Sequence, residues 1–305
     1  MKKLIIGYFV DGKWAQNCFL KILENPRLKI AFVVLRIKKD KKLQTLALKY
    51  NIPCFTSENI NSSNFIAQIQ NYKPDLLVSM SFDQIFKEKL LALYPRKIIN
   101  CHAGKLPFYR GRNILNWVLI NDEKEFGISV HFIEKGIDTG DIILQKTYTI
   151  NDTDDYTTLL KLAHKECAKL LYEALLLFLN DEVKAYKQQG LGFYCPRRKK
   201  GDEIITWDKS TRELFNFIRA LNHPKLGASA FIKEREIKLF KSEIIEDKFE
   251  NAELATIVSK DTKGFIVKTK DGALKITQFK GEVKMNERFT WWGGSNFLTS
   301  LRRSA

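Results

Sequence analysis

Short apolar runs alternate with amphipathic segments through the first third of the chain, and this alternation restricts the fold more than any other feature. An apolar run of four to six residues, bounded by polar turns, reads as a strand buried on both faces. Residues 4–9, 30–35, 52–55, 76–79 and 97–101 have this character. A turn over 10–13 opens a helix reaching Glu24, and residues 41–50, 62–72 and 85–93 repeat apolar positions at helical spacing. Strand and helix in succession predict an α/β class, with a Rossmann-like, mostly parallel sheet and ligands outside its carboxyl ends. The loop after the first strand reads Asp11-Gly12-Lys13-Trp14 rather than GxGxxG, so a dinucleotide cofactor is not expected.

Further along, residues 127–134 and 142–150 read as a strand pair joined by the polar turn 135–141. Leu160, Ala163, Cys167, Leu170, Ala174 and Phe178 recur at helical spacing and predict a long helix over 156–179. A Gly-, Lys- and Arg-rich stretch over 186–200 reads as a linker, which divides the chain into a domain over 1–185 and a smaller one over 186–305. A length of 305 residues suits two domains of about 150 residues each. In the second, Ser210-x-x-Glu213 is a capping box opening a helix to Leu221, stopped by His223-Pro224. Short strands with Gly turns then run to Phe279, so this domain is expected to be mostly β. Trp291-Trp292-Gly293-Gly294 is an interaction patch if exposed and part of the small domain's core if buried.

Charge and cysteine usage bound the partners. Lys+Arg number 51 against 35 Asp+Glu, a net charge of +16, which raises the question of a polyanion. The lysines are scattered in ones and twos, the pattern of a solvated basic surface rather than a binding stripe. Cys18, Cys54, Cys101, Cys167 and Cys195 are an odd set without a CxxC pair, so neither a disulfide framework nor a Cys zinc site is expected. The opening apolar run meets Asp11 and Lys13 too soon for a signal peptide, and no 18-residue apolar stretch follows. A soluble cytoplasmic protein is the expectation.

The chemistry gathers at Ile99-Asn100-Cys101-His102-Ala103-Gly104-Lys105-Leu106-Pro107-Phe108-Tyr109-Arg110-Gly111-Arg112. Asn100 and His102 lie two apart at a strand end, so both side chains leave one face while Cys101 turns into packing. An amide donor beside an imidazole suits a reaction that builds charge on a carbonyl oxygen while a nucleophile loses a proton. The same pair also fits a hydrogen-bonded structural histidine. Gly136-Ile137-Asp138-Thr139-Gly140-Asp141 adds two carboxylates, one of which can orient the histidine, or both of which merely close the turn as Asx-turns. His131, His164 and His223 are scattered; His131 on a strand and His164 on the long helix read as structural.

The run N-x-H-x-x-x-L-P-x-Y-R-G, followed by G-x-D-x-G, resembles the formyltransferases that use N10-formyltetrahydrofolate. Gly201-Asp202-Glu203-Ile204-Ile205-Thr206-Trp207 and Phe217-Ile218-Arg219-Ala220-Leu221 are similar to the C-terminal region of the tRNA and sugar enzymes of that family. The resemblance implies a catalytic trio of Asn100, His102 and Asp138. An acceptor amine attacks the formyl carbon, Asn100 and protonated His102 stabilise the oxyanion, and Asp138 tunes the histidine or works through a water. It implies a folate pocket built from Gln84-Ile85-Phe86 and Glu134-Lys135-Gly136-Ile137-Asp138, with Arg112 in the family's arginine position, and no metal. Gly104-Lys105 departs from the Ser-Leu pair of many relatives, and either places the Lys105 cation near the acceptor's phosphates or simply loosens the loop.

Two acceptors are consistent with the family. The tRNA enzymes carry a long basic insertion after the second strand, whereas Val34-Leu35-Arg36-Ile37-Lys38-Lys39-Asp40-Lys41-Lys42 runs almost directly into a helix. Gly111-Arg112-Asn113-Ile114-Leu115-Asn116-Trp117 is similar to the run of nucleotide-sugar enzymes, where tRNA enzymes usually have Ala-Pro-Ile. The resemblance therefore implies a nucleotide-linked amino sugar, such as a dTDP-3-amino or dTDP-4-amino dideoxyhexose of surface polysaccharide synthesis, with methionyl-tRNA as the alternative. The implied partners exclude nucleic acid and membrane insertion and allow a homodimer. Asp11, Gly12, Lys13 and Trp14 are expected to hold the nucleotide, by a stacking ring and backbone N–H groups, unless Lys13 and Trp14 only pack the helix start, with Arg219 and Asn222 adding contacts from the second domain.

Overall fold

The computed structural model describes residues 2–38 and 40–290, so Trp291 and Trp292 lie outside the described residues. The first half alternates as expected: β1 (Leu4–Val10), α1 (Gly12–Leu23), β2 (Leu28–Leu35), α2 (Lys41–Lys49), β3 (Cys54–Thr56), α3 (Ser63–Gln70), β4 (Leu76–Met80), α4 (Glu88–Leu93) and β5 (Ile98–His102). Then come β6 (Arg110–Gly111), α5 (Ile114–Ile120), β7 (Glu125–Phe132), β8 (Ile142–Thr149) and the long α6 (Tyr156–Leu179). The main sheet has the order β3-β2-β1-β4-β5-β7-β8. Its first five members are parallel, and β7 and β8 join antiparallel. The expected α/β class is thus the observed one. The strand order reverses between β1 and β4, the place where open α/β sheets take ligands.

Aromatic packing holds one face of this sheet. Phe9 is fully buried and meets Phe32, Phe82 and Phe86 edge-on, with centroids 6.0, 5.6 and 5.0 Å away. Removing such a ring costs about 3–5 kcal/mol. The expected helix over 85–93 starts later, at Glu88, because Asn61 holds the preceding loop extended: its side chain donates to the Ile85 carbonyl at 2.9 Å and accepts from the Lys87 N–H at 2.8 Å.

The chain forms two compact units, and the division is not a single cut. One contains Met1–Ile114, Glu125–Ile150 and Leu160–Pro196; the other contains Leu115–Lys124, Asn151–Leu159 and the chain from Arg197 onward. Residues 186–196, read above as linker, belong to the first unit. Tyr186 exchanges backbone hydrogen bonds with Ile142, and β9 (Tyr194–Cys195) pairs in parallel with β6.

The second unit is an antiparallel sheet of order β10-β11-β14-β13-β12, formed by β10 (Ala228–Ile232), β11 (Arg235–Ile245), β12 (Ile257–Asp261), β13 (Gly264–Lys268) and β14 (Ala273–Lys280). Helix α7 (Thr211–Ala220) covers it, started by the expected box in which Ser210 and Glu213 cap each other. Trp207 stacks on Phe289 at 4.8 Å in its core, with Leu214, Ile218, Leu239 and Ile276 around them. No helix among the described residues is long and apolar enough to cross a membrane.

Candidate active site

Strand β5 places Asn100 and His102 on one face, and pairing with β7 sets His131 directly opposite Asn100 on that same face. Asp138, from the 133–141 turn, reaches all three. Its Oδ2 lies 3.6 Å from His102 Nδ1, and its Oδ1 lies 3.4 Å from both His131 Nε2 and Asn100 Nδ2. The Gly111 backbone N–H donates to Oδ2 at 2.9 Å. Asp138 itself has φ +53, a left-handed conformation that Asp tolerates better than most side chains.

The electrostatics follow from this enclosure. Burial alone would raise the Asp138 carboxyl, but the His102 charge, His131 and the Gly111 N–H outweigh it and hold the group well below the usual carboxylate range. His102 Nε2 donates to the Tyr109 carbonyl at 2.7 Å, while Nδ1 faces the carboxylate. Both ring nitrogens thus face oxygen acceptors. His131 Nδ1 donates to the Phe132 carbonyl at 2.7 Å, which fixes that ring with Nε2 turned toward Asp138.

His131 is buried and fixed as expected of a structural histidine, and its Nε2 also lies 3.3 Å from Asn100 Nδ2 and 3.4 Å from Asp138 Oδ1. The signal lay in the β5–β7 register, which the sequence does not print. Cys101 does turn into packing: it is buried against the Cys167 carbonyl, and its thiol is pushed up by the hydrogen bond to Cys167 and by burial. Asp141, the other carboxylate of the turn, pairs with Arg96 at 2.8 Å. Gln188, which nothing in the sequence marked, donates from Nε2 to the Asp138 and Gly140 carbonyls, both at 2.8 Å, and accepts two hydrogen bonds from Arg110.

The expected folate residues divide. Gln84 spends its side chain on Ser57 and Ile60, bridging two loops. Phe86 is core, whereas Ile85 and Ile137 are 58% and 50% exposed. Glu134, Lys135 and Gly136 are exposed in the turn, and Arg112 is exposed with its backbone N–H on the Cys195 carbonyl. Among the described residues there is no cluster able to hold a metal ion.

Several expected acceptor contacts are otherwise engaged. The Gly12 N–H, proposed for phosphate, donates to Asp40 Oδ2 at 3.1 Å; the other oxygen of that carboxylate caps α2. Asp11 pairs with Arg36 at 3.4 Å, and Trp14 packs edge-on against His164 with centroids 4.9 Å apart. Lys13 is exposed, and Lys105 pairs with Glu125. Arg219 and Asn222 are corrected to interior roles. Arg219 is 5% exposed and donates to Asn216 and the Asn151 carbonyl, and Asn222 donates to Asp155, because residues 151–159 fold into the second unit.

A profile described as formyl transferase matches residues 11–175, and one described as formyl transferase, C-terminal domain, matches 197–294. Methionyl-tRNA formyltransferase of Thermodesulfovibrio yellowstonii is 32% identical over 274 residues, 87% of each chain. WlaRD, a sugar 3N-formyl transferase solved in the presence of dTDP and 5-N-formyl-THF, shares the fold at TM-score 0.70 and 23% identity, covering 93% of this chain and 99% of its own. A 4-N formyltransferase from Francisella tularensis has TM-score 0.63 at 25% identity, covering 76% of this chain and 95% of its own.

Proposed function

The chain belongs to the formyltransferase family, and on that premise we propose that it moves a formyl group from N10-formyltetrahydrofolate to the primary amine of a nucleotide-linked amino sugar. The bound folate supplies an electrophilic formyl carbon. Asn100 donates to the formyl oxygen as charge develops on it, and His102 joins it by exchanging the Tyr109 carbonyl for that oxygen at Nε2, a contribution of about 3–4 kcal/mol per donor. The Nε2 proton of His102, held on the Tyr109 carbonyl at rest, passes to N10 as the C–N10 bond breaks, while Asp138 orients the ring from the Nδ1 side. Asp138 keeps the ring oriented, takes the amine proton through a water and returns it to His102, which closes the proton cycle. Ile85 and Ile137 leave exposed apolar surface that a pteridine ring would cover.

One observation carries the acceptor reading: β2 ends at Leu35 and α2 begins at Lys41, leaving five residues, 36–40, where the tRNA enzymes of the family carry a long basic insertion. Within that connection Arg36 points back to Ser81 and Asp11. The 32% identity to a methionyl-tRNA formyltransferase, together with the +16 charge, favours charged initiator tRNA as the second reading. Turnover with N10-formyltetrahydrofolate, assayed against dTDP- and UDP-linked 3-amino and 4-amino sugars and against methionyl initiator tRNA, separates the two. Formylation of a sugar, losing less than about tenfold in rate between 50 and 200 mM salt, is expected. Formylation of the tRNA alone, with the steep salt dependence of multiple phosphate contacts, would hand the function to the second reading.

A further inference from the structure

We propose that Gln188 is a positioning residue for Asp138. The inference rests on the catalytic reading above and concerns what fixes its carboxylate. The turn carrying Asp138 is exposed over 134–137, and Asp138 sits at φ +53. A single side-chain amide closes the turn from the far side. Gln188 Nε2 donates to the Asp138 and Gly140 carbonyls, both at 2.8 Å, and its Oε1 accepts from Arg110 Nη2 at 2.6 Å and Nε at 3.2 Å. Both protons and both lone pairs of the amide are in use.

The partner on the oxygen side matters. Arg110 is followed by Gly111, whose N–H donates to the Asp138 carboxylate at 2.9 Å. Residues 110 and 111 therefore grip Asp138 twice, the backbone of Gly111 at its carboxylate and the side chain of Arg110, through Gln188, at its carbonyl. The grip is anchored because Gln188 follows Tyr186, which exchanges backbone hydrogen bonds with Ile142 next to the turn, while the Arg110 N–H donates to the Phe193 carbonyl at 3.1 Å. Without the amide, the turn keeps its Phe132–Asp141 closure but loses what sets the height of the carboxylate over His102 and His131.

The test is a double-mutant cycle on the full chain, with N10-formyltetrahydrofolate and whichever amino sugar or tRNA of the panel turns over. Gln188→Met, of equal length but without donors, is expected to lower kcat on the order of 10- to 100-fold with KM for the folate within about twofold. In an Asp138→Asn background the same substitution is expected to add less than about twofold, since it acts through that carboxylate. Gln188→Glu, which keeps an oxygen facing Arg110 but lacks the two N–H groups, is expected to lose activity likewise. Full multiplication of the effects in the double variant, or wild-type kcat in Gln188→Glu, overturns the proposal. Circular dichroism checks folding; loss of fold in both Gln188 variants beside a folded Asp138→Asn also overturns it, leaving Gln188 purely structural. If Asp138→Asn alone keeps wild-type kcat, the catalytic reading itself fails, which is a separate outcome.

Discussion

A β-carbon built on Gly104 would lie 2.4 Å from His102 Nε2 and 2.5 Å from the Tyr109 carbonyl oxygen, the two atoms whose hydrogen bond orients the imidazole. Gly104→Ala is expected to cut kcat on the order of 10- to 100-fold by tilting His102, with the circular dichroism spectrum unchanged; a near wild-type kcat would show that the Tyr109 contact is dispensable. The depressed carboxyl of Asp138 makes a pH statement of definite sign. It binds fewer protons folded than unfolded, so its contribution to stability is complete above about pH 4 and is lost as pH falls toward the native value. Asp138→Asn removes that dependence, and its urea midpoint is expected to fall less than that of wild type between about pH 5 and pH 3. An equal or steeper fall would mean that the carboxylate is not held by its neighbours. At this scale Asn100 and His102 are legible, because a spacing of two on a strand fixes a common face. Spacing does not choose between Asp138 and Asp141; Arg96, distant in sequence, claims Asp141.

Elements with their own local signals match the sequence, and those defined only by a partner do not. Helix α6 spans 156–179 as its apolar spacing predicts, and α7 begins at its capping box. Ser210→Ala removes one half of that box and is expected to lower stability by about 1 kcal/mol, read as a drop in Tm, with kcat unchanged. No change in Tm would mean that β11 and β14, rather than the cap, fix where α7 starts. In contrast, β6 and β9 are two residues each and have no propensity signature. They exist because Gly111, at φ +97, admits the Cys195 carbonyl to where a β-carbon would stand, 2.4 Å away. A Gly-, Lys- and Arg-rich stretch looks like linker until its partner strand is known, and for the same reason Gln188 carried no mark.

The two units interleave along the chain, and this follows from where the charges and amides of two segments find partners. Arg212 reaches both Asp122 and Asp152, at 2.5 and 2.6 Å, and Asn116 donates to the Ala220 carbonyl at 2.6 Å. Burial works to raise the Asp122 carboxyl, but hydrogen bonds from Arg212, Lys124 and Asn216 bring it down to about 2. Residues 115–124 and 151–159 are thereby recruited to the second unit, although composition along the chain suggests one boundary near 185. Fragments test this directly. A fragment of residues 1–185 loses β9 and Gln188, so Gly111 and Asp138 lose the contacts that place them. A fragment of residues 1–196 regains these but still leaves Asp122, Asp152 and Asn116 without Arg212 and Ala220. Limited proteolysis is expected to cut the shorter fragment near residues 110 and 138, to spare those sites in the longer one, and to cut both over 115–124 and 151–159. Only the full chain is expected to resist throughout, because it alone supplies Arg212 and Ala220 to Asp122, Asp152 and Asn116. A 1–185 fragment as protected as the full chain would place the true boundary where composition alone suggests it.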